Sequence, residues 1–206
     1  MRRTHMRREF LLPASGWLLL CLPAAVGAET ESARFVIDSA RSEVRFHIQA
    51  TKHTVVGRSR SLEGSVSIAG KSLSSARNGE AQVTVSSLDT GKGRLNRNMH
   101  KSLEADWHPE IRFQAESFEM DGQAIAADNS WRGVMEGILT VRGEMRPVTF
   151  QVTGGWEGEE LHAQGSTEFK MTYFGIDPPR FLRIFKVKDH VRVEFDVVAV
   201  SGSGSP

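Results

Sequence analysis

The chain has 206 residues, 26 lysines and arginines against 25 aspartates and glutamates, and one cysteine. That length suits one well-buried domain plus a targeting segment. The single thiol excludes a disulfide framework and a thiolate metal cluster. The charge balance excludes the net basic footprint that nucleic-acid binding needs.

Residues 1–8 carry four arginines, residues 10–28 are apolar and rich in Leu and Ala, and Val26-Gly27-Ala28 precedes Glu29 as a small-residue cleavage site. This three-part pattern is that of a secretory signal. Pro13, Gly16 and Pro23 interrupt the apolar run, which makes it a poor permanent anchor. Its removal takes away four arginines and one glutamate and leaves 22 basic against 24 acidic residues. Cys21 leaves with it, and Leu20 stands where a lipoprotein signal has a small residue, so a soluble periplasmic protein is expected. Arg7-Arg8-Glu9-Phe10-Leu11 is similar to a twin-arginine export motif, with Met6 where Ser or Thr is usual; the Sec and twin-arginine routes both stay open.

Beyond the leader the dominant period is two. Val44, Phe46, Ile48 and Ala50 alternate with polar residues, as do Val191, Val193, Phe195 and Val197. Such alternation predicts strands with one wet and one dry face. Comparable segments at 62–69, 80–88, 111–120, 134–142, 148–155 and 161–172 bring the expected number to eight. Asp121-Gly122, Arg142-Gly143-Glu144 and Gly154-Gly155 with Gly158 are turn signals. Short connections favour antiparallel neighbours, hence a meander that removes its edges by closing into a barrel. Between the third and fourth of these strands, Leu95, Met99, Leu103 and Trp107 recur every four residues behind Asp89 and Thr90, predicting a short amphipathic helix over 93–107. His108-Pro109 ends it, and it could plug one end of the barrel. The organisation read from the sequence is a signal peptide over 1–28, one barrel domain over 29–200 and a flexible Gly/Ser-rich tail over 201–206.

His47, His53, His100, His108, His162 and His190 fall in no metal-ligand spacing, and no nucleophile elbow, phosphate loop or facing carboxylate pair is present. Neither catalysis nor a metal or other cofactor is therefore expected. The inward-facing residues are Phe46, Ile48, Phe113, Val141, Phe150, Phe169, Phe195 and Val197, read as ordinary core or as the wall of a ligand cavity.

The order and spacing of several short motifs resemble those of the YceI-like family. They are Phe35-Val36-Ile37-Asp38-Ser39, His53-Thr54-Val55-Val56-Gly57, Leu62-Glu63-Gly64, Ser86-Ser87-Leu88-Asp89-Thr90, Arg97-Asn98-Met99, Pro109-Glu110-Ile111-Arg112-Phe113, residues 137–143 with Arg146-Pro147-Val148, Tyr173-Phe174-Gly175-Ile176 and Val187-Lys188-Asp189-His190-Val191. The resemblance covers about residues 34–200. It implies an all-β, lipocalin-like antiparallel barrel that holds a long isoprenoid chain, such as a quinone tail, without changing it. With a ligand inside, the residues expected to contact it from the alternation, the helix face and the proline loop are Phe46, Ile48, Met99, Phe113, Val141, Phe150, Phe169, Phe174, Phe181 and Phe195. Phe174-Gly175-Ile176 is read as the end of the seventh strand and Asp177-Pro178-Pro179 as a rim turn. Phe181, Leu182, Ile184 and Phe185 interleave with Arg180, Arg183 and Lys186, which predicts a loop across one opening, either a lid or a portal in transient contact with a membrane surface. The competing readings are a packed barrel acting as a stress-response or interaction module, and a redox accessory to a membrane quinone or cytochrome system. The oligomeric state is left open.

Overall fold

The alternating segments form one antiparallel sheet of ten strands: β1 (Ser32–Ile37), β2 (Glu43–Ala50), β3 (Thr54–Ser59), β4 (Leu62–Ala69), β5 (Arg77–Thr84), β6 (Glu110–Met120), β7 (Ser130–Val141), β8 (Glu144–Glu157), β9 (Glu160–Lys170) and β10 (Val187–Ser201). The computed structural model describes residues 32–50, 53–71, 73, 76–121, 130–178 and 187–202. The leader and the loop 179–186, with Phe181 and the cations expected to form a portal, lie outside the described residues.

β1 and β2 both pair with β10, residues 35–37 against 199–201 and residues 43–48 against 191–196. They are one long strand path broken at residues 38–42. β3 and β4 form the matching path, paired with β2 and β1 respectively. Counted by position around the sheet, the result is a closed eight-stranded antiparallel barrel, running as a meander from β4 through β10. Closure through the β1–β10 pairing removes the edges that an open sheet must protect, except along β3, whose outer side makes a single backbone bridge among the described residues, Arg58–Asp89.

The expected barrel is present, with β1 and β3 as additions. Both are short, and β3 ends in Gly57-Arg58-Ser59, which carries no apolar alternation. The helix α1 (Gly93–Ser102) sits between β5 and β6 and is shorter than its apolar spacing predicts. Glu104 takes a left-handed φ of 52°, which turns the chain out of the helix before Trp107. Asp89 and Thr90 do not cap it directly. Instead the Asn96 side-chain amide donates to Asp89 Oδ1 (2.6 Å) while Asn96 Oδ1 accepts the Thr90 backbone N–H (2.9 Å), fastening the first turn to the segment before it. β9 stops at Lys170, and the residues read as its end form a 3-10 turn (Met171–Phe174) that closes on Gly175 at φ 66°.

The interior divides along the barrel axis. At the end formed by the start of β1 and the ends of β8 and β10, aromatic rings fill the section: Phe35 meets Trp156 edge-on at 5.1 Å, and Phe118 meets Trp131 at 5.3 Å. Above them Phe150 touches Phe113 (5.2 Å) and Phe195 (5.5 Å). Glycines make room for these rings. A Cβ at Gly165 would lie 2.5 Å from the Phe195 ring, and one at Gly154 would lie 2.4 Å from Trp131. Trp156 seals this end, with its indole N–H donated to the Lys71 carbonyl at 3.1 Å and the Lys71 ammonium 5.6 Å from its ring. The other half is lined mainly by aliphatic side chains and is not filled.

Candidate functional site

The unfilled half is a cavity of about 230 Å³ enclosed by β2, β3, β10, the 3-10 turn and α1. Its walls include Val44, Phe46, Ile48, Val55, Val83, Ile111, Val141, Phe169, Val191 and Val193. Phe150 forms the floor and Phe174, fully buried, closes one flank. The Phe46 ring lies flat across Gly57 on the adjacent strand, where a Cβ would come within 2.1 Å of Cζ.

Helix α1 supplies the roof. Leu95, Asn98, Met99 and Ser102 follow the three- and four-residue spacing that puts side chains on one helical face, and all four line the cavity with Leu103 just beyond. The polar side chains on the whole lining are Thr90, Asn98 and Ser102, all from this segment. The Thr90 hydroxyl donates to Asn96 Oδ1 (2.6 Å); Asn98 and Ser102 have no side-chain partner among the described residues. No ionisable side chain of the described residues lines the cavity.

The roof and rim are held by hydrogen bonds. His100 Nε2 lies 3.0 Å from the Leu88 carbonyl oxygen. The Asn96 amide and the Gly91 N–H hold the exposed Asp89 carboxyl below its ordinary range, outweighing the partial loss of its hydration. At the 3-10 turn, partial burial pushes the Asp189 carboxyl up, but the Thr172 hydroxyl (2.6 Å) and backbone N–H (2.9 Å) outweigh it and leave it lowered. Arg142, at φ 54° in the two-residue β7–β8 turn, reaches Glu104 after α1 and donates from Nη1 to the Gly175 carbonyl (2.7 Å).

Of the residues named from the sequence, Phe46, Ile48, Met99, Val141, Phe150, Phe169 and Phe174 line this cavity. Phe113 and Phe195 do not: both pack against Phe150 in the layer below it. Asn98, Ser102 and Val55 were missed. The first two were legible, since they fall on the same helical face as Leu95 and Met99. Trp107, read as the fourth residue of that face, is 84 % exposed because the helix has already ended. Among the described residues, no group of three or more His, Cys, Asp or Glu is placed to hold a metal ion, and no helix is long and apolar enough to cross a membrane.

The model of the YceI-like domain matches residues 35–199, which takes in nearly the whole barrel. The chain belongs to the YceI-like domain family. Its fold is shared by BcnA of Burkholderia cenocepacia, at 21 % identity and a TM-score of 0.66 over 80 % of this chain and 99 % of that one. A polyisoprenoid-binding domain from Saccharophagus degradans, implicated in plant cell wall breakdown, superimposes with a TM-score of 0.67 at 15 % identity over 84 % of this chain and all (100 %) of that one. A YceI protein of Campylobacter jejuni does so at 0.58 and 12 % identity, over 73 % and 86 % of the two chains. No curated protein matches the chain by sequence. At these identities the solved YceI-like structures establish the architecture, and the chemistry rests on this chain's own lining.

Proposed function

We propose that this protein is a non-catalytic carrier that holds the apolar tail of an isoprenoid lipid beneath α1, and that residues 1–28 export it to the periplasm. The observation that carries the reading is the apolar, non-ionisable lining of a cavity that the packing leaves open in an otherwise ring-filled barrel. A lining without a titratable group offers no acid, base or redox partner to a bound molecule, which favours holding over turnover. The polyisoprenoid-binding description of the Saccharophagus domain supports the ligand class.

Size narrows the ligand further. At 230 Å³ the cavity exceeds the about 150 Å³ apolar void that retains a benzene-sized guest, yet falls below the roughly 300 Å³ at which ordinary ligand pockets begin. It therefore takes a slender segment of tail. Burying ~10 carbons at about 0.8 kcal/mol each contributes about 8 kcal/mol, a gross affinity near micromolar before ordering costs. Asn98 and Ser102, on the roof, are placed to meet the polar end of such a guest.

Native mass spectrometry and lipid extraction of protein purified from an exporting cell test this. The expected result is one prenyl lipid per chain, replaceable by an added prenylated quinone. Protein that carries no lipid and takes up no quinone would sink the proposal.

A further inference from the structure

The outward face of α1 is as distinctive as its inward one. Arg94, Arg97 and Lys101 recur at three- and four-residue spacing away from the cavity, and with Lys92 at the N-cap all four are exposed. The helix contains no acidic residue, and among the described residues none of these cations is paired with a carboxylate. This concentration sits on a chain whose residues 29–206 carry more acidic than basic side chains, 24 against 22.

Exposed apolar side chains lie on the same rim. Trp107 follows α1 and donates its backbone N–H to Glu104 (2.9 Å), the partner of Arg142; Arg142 in turn bonds Gly175, two residues beyond Tyr173. Arg146 donates from Nε to the Tyr173 carbonyl (2.9 Å), with its guanidinium 5.6 Å from that ring. The turns bearing Trp107, Tyr173 and, beside Arg146, Met145 are thus bonded into one rim, and these side chains are 84 %, 43 % and 58 % exposed. Of the acids there, Glu104 and Glu144 are paired with Arg142 and Arg146, while Asp106 beside Trp107, Asp177 beyond Gly175 and Asp89 ahead of α1 are exposed.

Amphipathic aromatic rings beside unpaired lysines and arginines match an anionic bilayer interface, where rings settle at headgroup level and cations meet lipid phosphates. We propose that the protein docks on anionic membrane surfaces with its cavity end down, through the basic face of α1 and with Trp107 in the interface. Docking so oriented places α1 between bilayer and cavity. That use of the surface rests on the lipid-carrier reading; the docking itself does not.

The test measures partition of the protein, as exported and processed by an expressing cell, onto phosphatidylcholine vesicles with and without phosphatidylglycerol. Binding is expected to depend on phosphatidylglycerol, with a blue shift of tryptophan emission that is lost in Trp107→Ala. The triple variant R94Q/R97Q/K101Q is expected to partition roughly a hundredfold more weakly, from the loss of three surface cations. None of the three lines the cavity, so uptake of a prenylated quinone from detergent solution should be unchanged. Absence of phosphatidylglycerol dependence, equal partition of the triple variant, or no emission shift overturns the proposal; the first would leave the basic face for an acidic protein. Phosphatidylglycerol-dependent binding by protein that takes up no quinone supports docking and overturns the carrier reading.

Discussion

Gly57 and Phe46 face each other across β2 and β3, and neither makes sense without the other. The ring occupies the space a side chain at Gly57 would need, so it lies flat against the wall and leaves the cavity open. Gly57→Ala puts a methyl group into that ring, and overpacking of this kind costs about 1–3 kcal/mol. The ring can relieve the clash only by swinging into the cavity, so quinone affinity should fall with stability. Urea unfolding and quinone titration of Gly57→Ala, and of the same substitution combined with Phe46→Leu, check this. Recovery of stability in the double variant is expected, and an unaltered single variant would show that the ring is not held by the missing side chain. Alternation of apolar and polar residues gave Phe46 its inward direction. It could not give the ring's tilt, which depends on a glycine eleven residues away in sequence that only the strand register brings opposite.

Several side chains fasten the break between β1 and β2: Ser39 donates to the Leu62 carbonyl (2.7 Å), the buried Ser42 hydroxyl accepts the Val198 N–H (3.1 Å), and Arg41 ties the break to β9. Arg41 donates from Nε to Asp38 (2.7 Å) and from both terminal nitrogens to Glu160 at the start of β9 (2.8 and 2.9 Å). These bonds hold the carboxyls of Asp38 and Glu160 below their ordinary values of 3.8 and 4.5. A carboxyl lowered by folding contributes stability that is present above its unfolded pKa and lost as the pH falls through the folded one. Arg41→Gln should therefore lower the urea midpoint at neutral pH, and its gap from the parent should close as the pH drops below about 4.5. A gap that persists in acid would mean that Arg41 acts through something other than these two carboxylates. Elements of this sort are where sequence reading is weakest. The eight long alternating segments and α1 were legible because periodicity is local, whereas β1 and β3 are too short to show it, and Arg41 finds Glu160 only through closure of the barrel. Likewise the stop of α1 rests on a left-handed Glu104 that no spacing rule announces.

For the whole molecule, the decisive feature is that one half of the barrel is filled and the other is not. Binary pattern reports which way a residue points, and both halves carry the same pattern. What differs is cross-strand volume, with rings interleaved over glycine in the lower half and aliphatic walls under a helical roof in the upper. Phe150 is the boundary: 5 % exposed, it floors the cavity and rests on Phe113 and Phe195 below. If that boundary sets the reach of a bound tail, Phe150→Ala should deepen the cavity by the volume the ring vacates, down to Phe113 and Phe195, at a cost of about 3–5 kcal/mol in stability. That is a large part of the 5–15 kcal/mol typical of a domain, so Phe150→Leu, which removes less volume, accompanies it. Competition between prenylated quinones of different chain length, read by native mass spectrometry, should shift toward the longer tail in both variants and further in the alanine one. Identical chain-length preference in the parent and a folded variant would show that the tail is limited at the rim rather than by the aromatic floor.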